Sequence, residues 1–110
     1  MKEVCDVEIV NCGNSIKLRA LRDTGNSLRA PKTNAPVLIC DYPTVRELFP
    51  EEAKAVLDSE RGENYPLLLD KLSEYGKFGL VPYKSLGVSF SLLLSFRPDK
   101  ILRNGNPVHG

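Results

Sequence analysis

One hundred and ten residues suffice for one compact domain with a core of its own, but not for two. Fifteen Lys plus Arg against fourteen Asp plus Glu leave a net charge of +1, which gives no reason to expect nucleic acid, an acidic substrate or an anionic membrane surface as partner. The longest apolar stretch, Ser91 to Phe96, is far too short to span a bilayer, and the start of the chain lacks a signal peptide's apolar region, so the chain as it stands reads as soluble and unprocessed.

The three cysteines, Cys5, Cys12 and Cys40, are odd in number, and no two stand two residues apart as in a zinc ribbon or redox pair. They read as small buried hydrophobes of a reducing cytoplasm. From Val4 to Val10, Cys5, Val7 and Ile9 alternate with Asp6 and Glu8, the pattern of a strand. Asn11-Cys12-Gly13-Asn14 offers a Gly and two Asn where positive φ is cheap, and predicts a tight hairpin. Ile16, Leu18 and Ala20 then alternate with Lys17, Arg19 and Leu21, so a second, antiparallel strand carries the chain to Asp23.

Leu28 to Pro36 is a loop region, and Val37 to Cys40 is a continuous apolar run that reads as a short buried strand. Pro43, Pro50, Glu51-Glu52 and the helix formers of Ala53 to Leu57 predict a helical excursion between residues 43 and 58. Residues 59–65 are polar and read as an exposed loop; residues 66–75 read as a second short helix ending at Gly76. Phe78 to Tyr83 is a strand whose Pro82 argues for an edge or a bulge. Val88, Phe90, Leu92, Leu94 and Phe96 alternate with polar or outward positions and predict a half-buried strand with those five residues inward. Pro98-Asp99 turns the chain, Lys100 to Arg103 forms a last strand, and residues 104–110 read as a frayed tail. The sum is a single mainly β domain over residues 1–110, with its core at about 4–103, folded as a small barrel or folded sheet with one or two short helices.

One stretch carries chemistry. Asp23-Thr24-Gly25-Asn26 follows the second strand, and an aspartate held by a Thr-Gly turn after an apolar strand is how aspartic peptidases present a carboxylate. The same residues also make a good turn, with Asp23 capping nearby amides and Gly25 at positive φ, so the triplet alone leaves both readings open. Peptide hydrolysis by carboxylates needs two of them close enough to share a proton, one acting as base on water and the other donating to the scissile carbonyl. This chain has one such turn; Asp41, Asp58 and Asp99 stand in different contexts. A single copy therefore cannot be the enzyme, whereas a symmetric dimer with Asp23 of each subunit on the two-fold axis can.

Other chemistries find no support. His109, the lone histidine, lies in the tail, which disfavours Ser-His or Cys-His nucleophiles and histidine-rich metal sites. Gly76, Gly79 and Gly87 are spaced wrongly for a phosphate loop. Lys17, Arg19, Arg22 and Arg29 lack interleaved aromatics and read as a solvated strand face rather than a nucleic-acid surface. No metal and no cofactor is expected.

Two blocks carry a resemblance. The run from Leu21 to Cys40, with Asp-Thr-Gly-Asn at 23–26 followed by Leu28, Pro31 and Pro36-Val37, resembles the sporulation sigma-E factor processing peptidase family, membrane-bound aspartic peptidases of spore-forming bacteria. Val81 to Gly87 and Leu92 to Lys100 resemble the same family. The resemblance implies a retropepsin-like peptidase domain, cytoplasmic on the mother-cell side of the sporulation septum and carried by an N-terminal membrane half in the full-length protein. It implies activity as a homodimer with one aspartate per subunit, here Asp23, in a turn shaped by Thr24, Gly25 and Asn26. The implied substrate is the sigma-E factor precursor, which loses its N-terminal pro-segment, and the implied activator is a signal protein from the forespore.

Two positions depart from retroviral-type enzymes. Asn26 stands where a small residue is usual, which suits the sporulation family. Arg22 stands where an apolar residue is common, and a cation there is expected to favour ionised Asp23. The flap that covers bound peptide is expected between Asp41 and Gly76, with Gly62 as a candidate tip. A docking module of the same fold, binding a sigma factor or another partner without cleaving it, is the alternative to the peptidase.

Overall fold

A computed structural model describes residues 2–23, 37–59, 64–83 and 91–108 of the chain. Strand β1 (Lys2–Asn11) and strand β2 (Asn14–Asp23) form a long antiparallel hairpin. Cys12 and Gly13 alone connect them, at φ 52° and 78°. Two successive positive φ values make the primed turn whose twist matches a hairpin, so the sequence locates the turn correctly but Cys12, not an Asn, takes the first left-handed position. As the alternation predicts, Val7 and Ile9 are buried and Asp6 is exposed.

The helical excursion is split. Helix α1 (Tyr42–Arg46) begins after Asp41, whose carboxylate accepts from the Thr44 hydroxyl at 2.9 Å, with Pro43 in the first turn. Leu48 and Phe49 leave the helix and are buried, and Pro50 precedes helix α2 (Glu51–Ser59). Ala53 and Leu57 mark the buried stripe of α2, at the i, i+4 spacing of a helix face. Helix α3 (Tyr65–Leu72) starts at Asn64, whose side chain accepts from the Leu67 amide at 3.2 Å, and buries Leu68 and Leu72. A single 3₁₀ turn, Ser73–Tyr75, follows, and Gly76 at φ 144° ends it, as expected. Among the described residues the excursion over 43–58 is two helices rather than one, because Pro50 lacks the N–H that would bond the Arg46 carbonyl and continue α1.

Strands β3 (Lys77–Tyr83) and β4 (Ser91–Arg97) pair antiparallel as a separate two-stranded sheet. β5 (Lys100–Arg103) adds to β1, and β6 (Asn106–Pro107) adds to β5, giving a first sheet ordered β2-β1-β5-β6. The fold is mainly β with short helices, and the described strands make two sheets rather than a closed barrel. One apolar cluster joins them: Val7 and Ile9 of the first sheet meet Leu48, Phe49, Ala53, Leu57, Leu68 and Leu72, with Phe78 and Phe96 of the second sheet packed against it. Phe49 is the hinge of that contact, its ring centroid 5.5 Å from Phe78 and 4.9 Å from Phe96.

Four expectations are corrected. Residues 37–40 form no strand, and Leu38 and Ile39 are exposed; a four-residue apolar run lacks the length to specify pairing by itself. In β4, Leu92 and Leu94 are exposed while Leu93 is half-buried opposite Val81, which is 1% exposed. A two-stranded sheet has no fixed inner face, so Phe96 meets the core on one side and Val81 is covered on the other. The tail is ordered through Val108: Asn104-Gly105 makes a second primed turn, at φ 49° and 82°, and the Val108 amide donates to the Ile101 carbonyl at 2.8 Å. None of the three cysteines is buried; Cys5 and Cys40 are half-covered and Cys12 is exposed.

Candidate active site

Asp23 is the last residue of β2, at the end of a ladder of ten consecutive pairs that runs from Asn11 opposite Asn14 to Lys2 opposite Asp23. Nine residues of strand separate Asp23 from the hairpin turn, a reach of about 30 Å. In the described sheet β2 is an outer strand. Thr24, Gly25 and Asn26, the remainder of the candidate turn, lie outside the described residues, as do Gly62, His109 and the stretch from Lys84 to Phe90 in the second motif block.

What fixes the hairpin that carries Asp23 comes from the far end of the chain. The Cys12 amide donates to the Asp99 carboxylate at 3.0 Å, linking the hairpin tip to the turn between β4 and β5. Midway along β1, Asp6 and Asn104 exchange two bonds: the Asn104 amide donates to the Asp6 carbonyl at 2.7 Å, and the Asp6 amide donates to the Asn104 side-chain oxygen at 3.0 Å. Asp99 belongs to the second motif block, so that block braces the hairpin on which the first block is presented. Nothing in the residue types announces this pairing; the Asn-Gly dipeptide at 104–105 is the one signal that could have indicated order where a frayed tail is expected.

The other aspartates singled out in the sequence are engaged in local structure. Asp41 accepts from Thr44, and Asp99 accepts from the Cys12 amide. Asp58 takes a two-pronged contact from the Arg46 guanidinium, Nε at 3.0 Å and its terminal nitrogen at 2.8 Å, and also accepts from the Tyr42 hydroxyl. The bond to Asp58 pushes the Arg46 guanidinium above its ordinary range, and burial followed by the bond to Asp58 pushes the Tyr42 phenol up. This cluster clamps α1 to α2. It is a structural use of a carboxylate that sequence reading, which placed Asp58 only on the helical excursion, did not foresee.

The basic run is described in part: Arg19 lies 3.6 Å from Asp6, both of them largely exposed, and Lys17 stands opposite Glu8 in register. Cross-strand pairs of opposite charge are what a solvated strand face carries. Among the described residues no group of three or more His, Cys, Asp or Glu is placed to hold a metal ion, and no helix is long and apolar enough to cross a membrane.

Residues 1–108 match the model of a peptidase family described as sporulation factor SpoIIGA. The sporulation sigma-E factor-processing peptidase of Priestia megaterium is 30% identical over 99 residues, covering 90% of this chain and 32% of the relative. The protein of the same name from Bacillus subtilis is 28% identical over 88 residues, covering 79% of this chain and 28% of the relative. The chain thus spans about a third of the length of these curated relatives. No solved structure matches.

Proposed function

The chain belongs to the sporulation factor SpoIIGA family, and from that membership we propose that it is an aspartic endopeptidase domain that acts as a homodimer on the sigma-E factor precursor. The observation that carries this reading is the placement of Asp23 at the end of a ten-pair ladder, immediately before Thr24-Gly25. A regular ladder held at its tip and its middle sets the course of the strand that ends in Asp23, and catalytic groups need a defined mount. The local engagement of Asp41, Asp58 and Asp99 also favours drawing the second carboxylate from a second copy.

In the proposed dimer the two Asp23 carboxylates share one proton. The ionised one takes a proton from a water molecule, which attacks the scissile carbonyl, while the protonated one donates to the carbonyl oxygen. Thr24 and Gly25 shape the turn, with Asn26 following. The substrate binds extended, through main-chain hydrogen bonds with alternate side chains entering pockets, and loses its N-terminal pro-segment. In the full-length protein we place the domain on the mother-cell side of the sporulation septum, joined to a membrane half and activated by a forespore signal protein.

The test is cleavage of the sigma-E precursor across a wide range of chain concentration, with Asp23→Asn and a covalently tethered dimer in parallel. Cleavage that rises faster than linearly, persists when tethered and vanishes in Asp23→Asn is the expected result. A second reading, a docking module, draws on the exposed Leu92 and Leu94 of β4. It predicts that the tethered dimer binds precursor without cutting it and that Asp23→Asn changes nothing.

A further inference from the structure

The first sheet ends in two unlike edges. At one, β6 is two residues long and contains Pro107, and a short edge strand carrying proline is a common guard against pairing with another chain. At the other, β2 runs ten residues, contains no proline and pairs with β1 in an unbroken register without a bulge. Among the described strands, none pairs with its outer side. An outer strand of this length and regularity directs alternate N–H and C=O groups away from β1, where a further strand can meet them.

The side chains of β2 define what such a strand must carry. Ile16 and Leu18 are half-buried, although Ile9 and Val7, which they oppose on β1, are 4% and 6% exposed. The apolar inner face thins out at β2, and apolar side chains on an added strand extend it. On the outer face Lys17 and Arg19 are exposed, and they oppose Glu8 and Asp6 of β1. The Arg19 side chain is 78% exposed even at 3.6 Å from Asp6, and a guanidinium has donors enough for a second carboxylate. An acidic row on β1 beside a basic row on β2 is matched on the outer side by another acidic row.

Two other occupants fit less well. A second copy that pairs through its own β2, about a two-fold axis at residue 17, 18 or 19, sets Lys17 or Arg19 against a like charge. Segments 24–36 and 84–90 of the chain itself hold Arg29, Lys32 and Lys84 and no carboxylate, and segment 60–63, with Glu60 and Glu63, is too short to follow the edge.

We propose that the outer edge of β2 docks an extended acidic peptide segment of a partner protein, added as a further strand with carboxylates beside Lys17 and Arg19 and apolar side chains beside Ile16 and Leu18. The assignment stands whether or not Asp23 cleaves what binds there.

The test uses the full chain and three short capped peptides: one alternating valine and glutamate, one alternating valine and lysine, and the glutamate peptide with its backbone amides N-methylated. Calorimetry reads affinity, and amide exchange followed by NMR reads the place of binding. The glutamate peptide is expected to bind, to slow exchange at every second amide of β2 between Asn14 and Arg19, and to weaken as salt is added. The lysine peptide is expected to bind about tenfold more weakly, because two cross-strand charge pairs change sign. The N-methylated peptide, which has no amide to donate, is expected not to bind. Lys17→Glu combined with Arg19→Glu is expected to reverse the preference between glutamate and lysine, and where that variant fails to fold the three peptides on wild type decide. Absence of binding, equal affinity for the glutamate and lysine peptides, slowed exchange at β4 or β6 instead of β2, or an N-methylated peptide that binds as well as its parent overturns the proposal.

Discussion

The Cys12 amide, at the tip of the first hairpin, donates to the carboxylate of Asp99, eighty-seven residues later, at 3.0 Å. Cys12 sits at φ 52°, a left-handed position that a non-glycine residue holds only against a local cost. The bond to Asp99 offsets part of that cost and links the turn leaving the second sheet to the hairpin that ends in Asp23. Asp99→Ala is expected to destabilise the chain by about 1 kcal/mol, the net worth of an exposed hydrogen bond to a charged acceptor. Urea unfolding of the two proteins measures it, and a difference of zero would show that water replaces the carboxylate without loss.

A second brace predicts a comparable effect from a smaller change. Gly105 has open space where a Cβ would stand, so Gly105→Ala meets no clash, yet its φ of 82° is left-handed. The substitution is expected to cost about 1 kcal/mol through backbone strain alone. Asn104→Ala removes both a residue suited to φ 49° and the acceptor of the Asp6 amide, and is expected to cost about 1–2 kcal/mol. Amide exchange at Asp6 should accelerate in Asn104→Ala and remain slow at Ile9, which β5 still flanks.

Phe49 joins the two sheets, since its ring meets both Phe78 and Phe96 and the residue is 3% exposed. Phe49→Ala is expected to cost about 3–5 kcal/mol, as for other large aromatic truncations in a core. For a chain of this size that is a large part of total stability. Loss of cooperative unfolding in the variant would confirm that the two sheets are held as one unit through this ring, whereas a loss below about 1 kcal/mol would refute it.

The legible parts of the sequence were those where a local rule acts alone. The alternation of Cys5, Val7 and Ile9, the turn at Cys12-Gly13, the proline-led helix starts and the stop at Gly76 all read correctly because strand parity, positive φ and helix capping depend on adjacent residues. The failures share a different cause. Whether Leu92 or Leu93 points inward depends on what covers a two-stranded sheet, and whether residues 37–40 pair depends on a neighbouring edge; neither is written in the segment itself. For the site, the sequence placed Asp23 at a strand end, but the identity of its opposed residue required the register, which follows from the length of the turn nine strand residues away.

Thiol chemistry should separate the three cysteines. Cys12 is exposed, whereas Cys5 and Cys40 are half-covered, and burial followed by the charge of Asp41 pushes the Cys40 thiol up. Since the thiolate is the reactive form, Cys12 is expected to alkylate first and Cys40 to lag, with the lag shrinking as pH rises through the alkaline range. Peptide mapping after timed alkylation reads the order; Cys40 labelling ahead of Cys12 would contradict the burial pattern.

Tyr42 supplies a pH dependence whose sign follows from its surroundings. Burial, and then its bond to the Asp58 carboxylate, raise the phenol above its ordinary value. A folded value above the unfolded one means that the neutral phenol contributes stability that is fully present below the unfolded value of about 10 and is lost as pH rises through the folded value. Above that point an ionised Tyr42 would face the Asp58 carboxylate, and the Arg46 guanidinium beside them would meet two negative charges. Tyr42→Phe is therefore expected to be less stable than wild type by a constant margin from neutral pH to about 9, and the margin should narrow above about 10. The residue is 40% exposed, so the margin is small and best read as a difference between paired urea titrations. A margin of zero at neutral pH would show that the hydroxyl's bond to Asp58 contributes nothing to holding α1 against α2, and a margin that stays constant through the alkaline range would show that ionisation of the phenol is not coupled to folding.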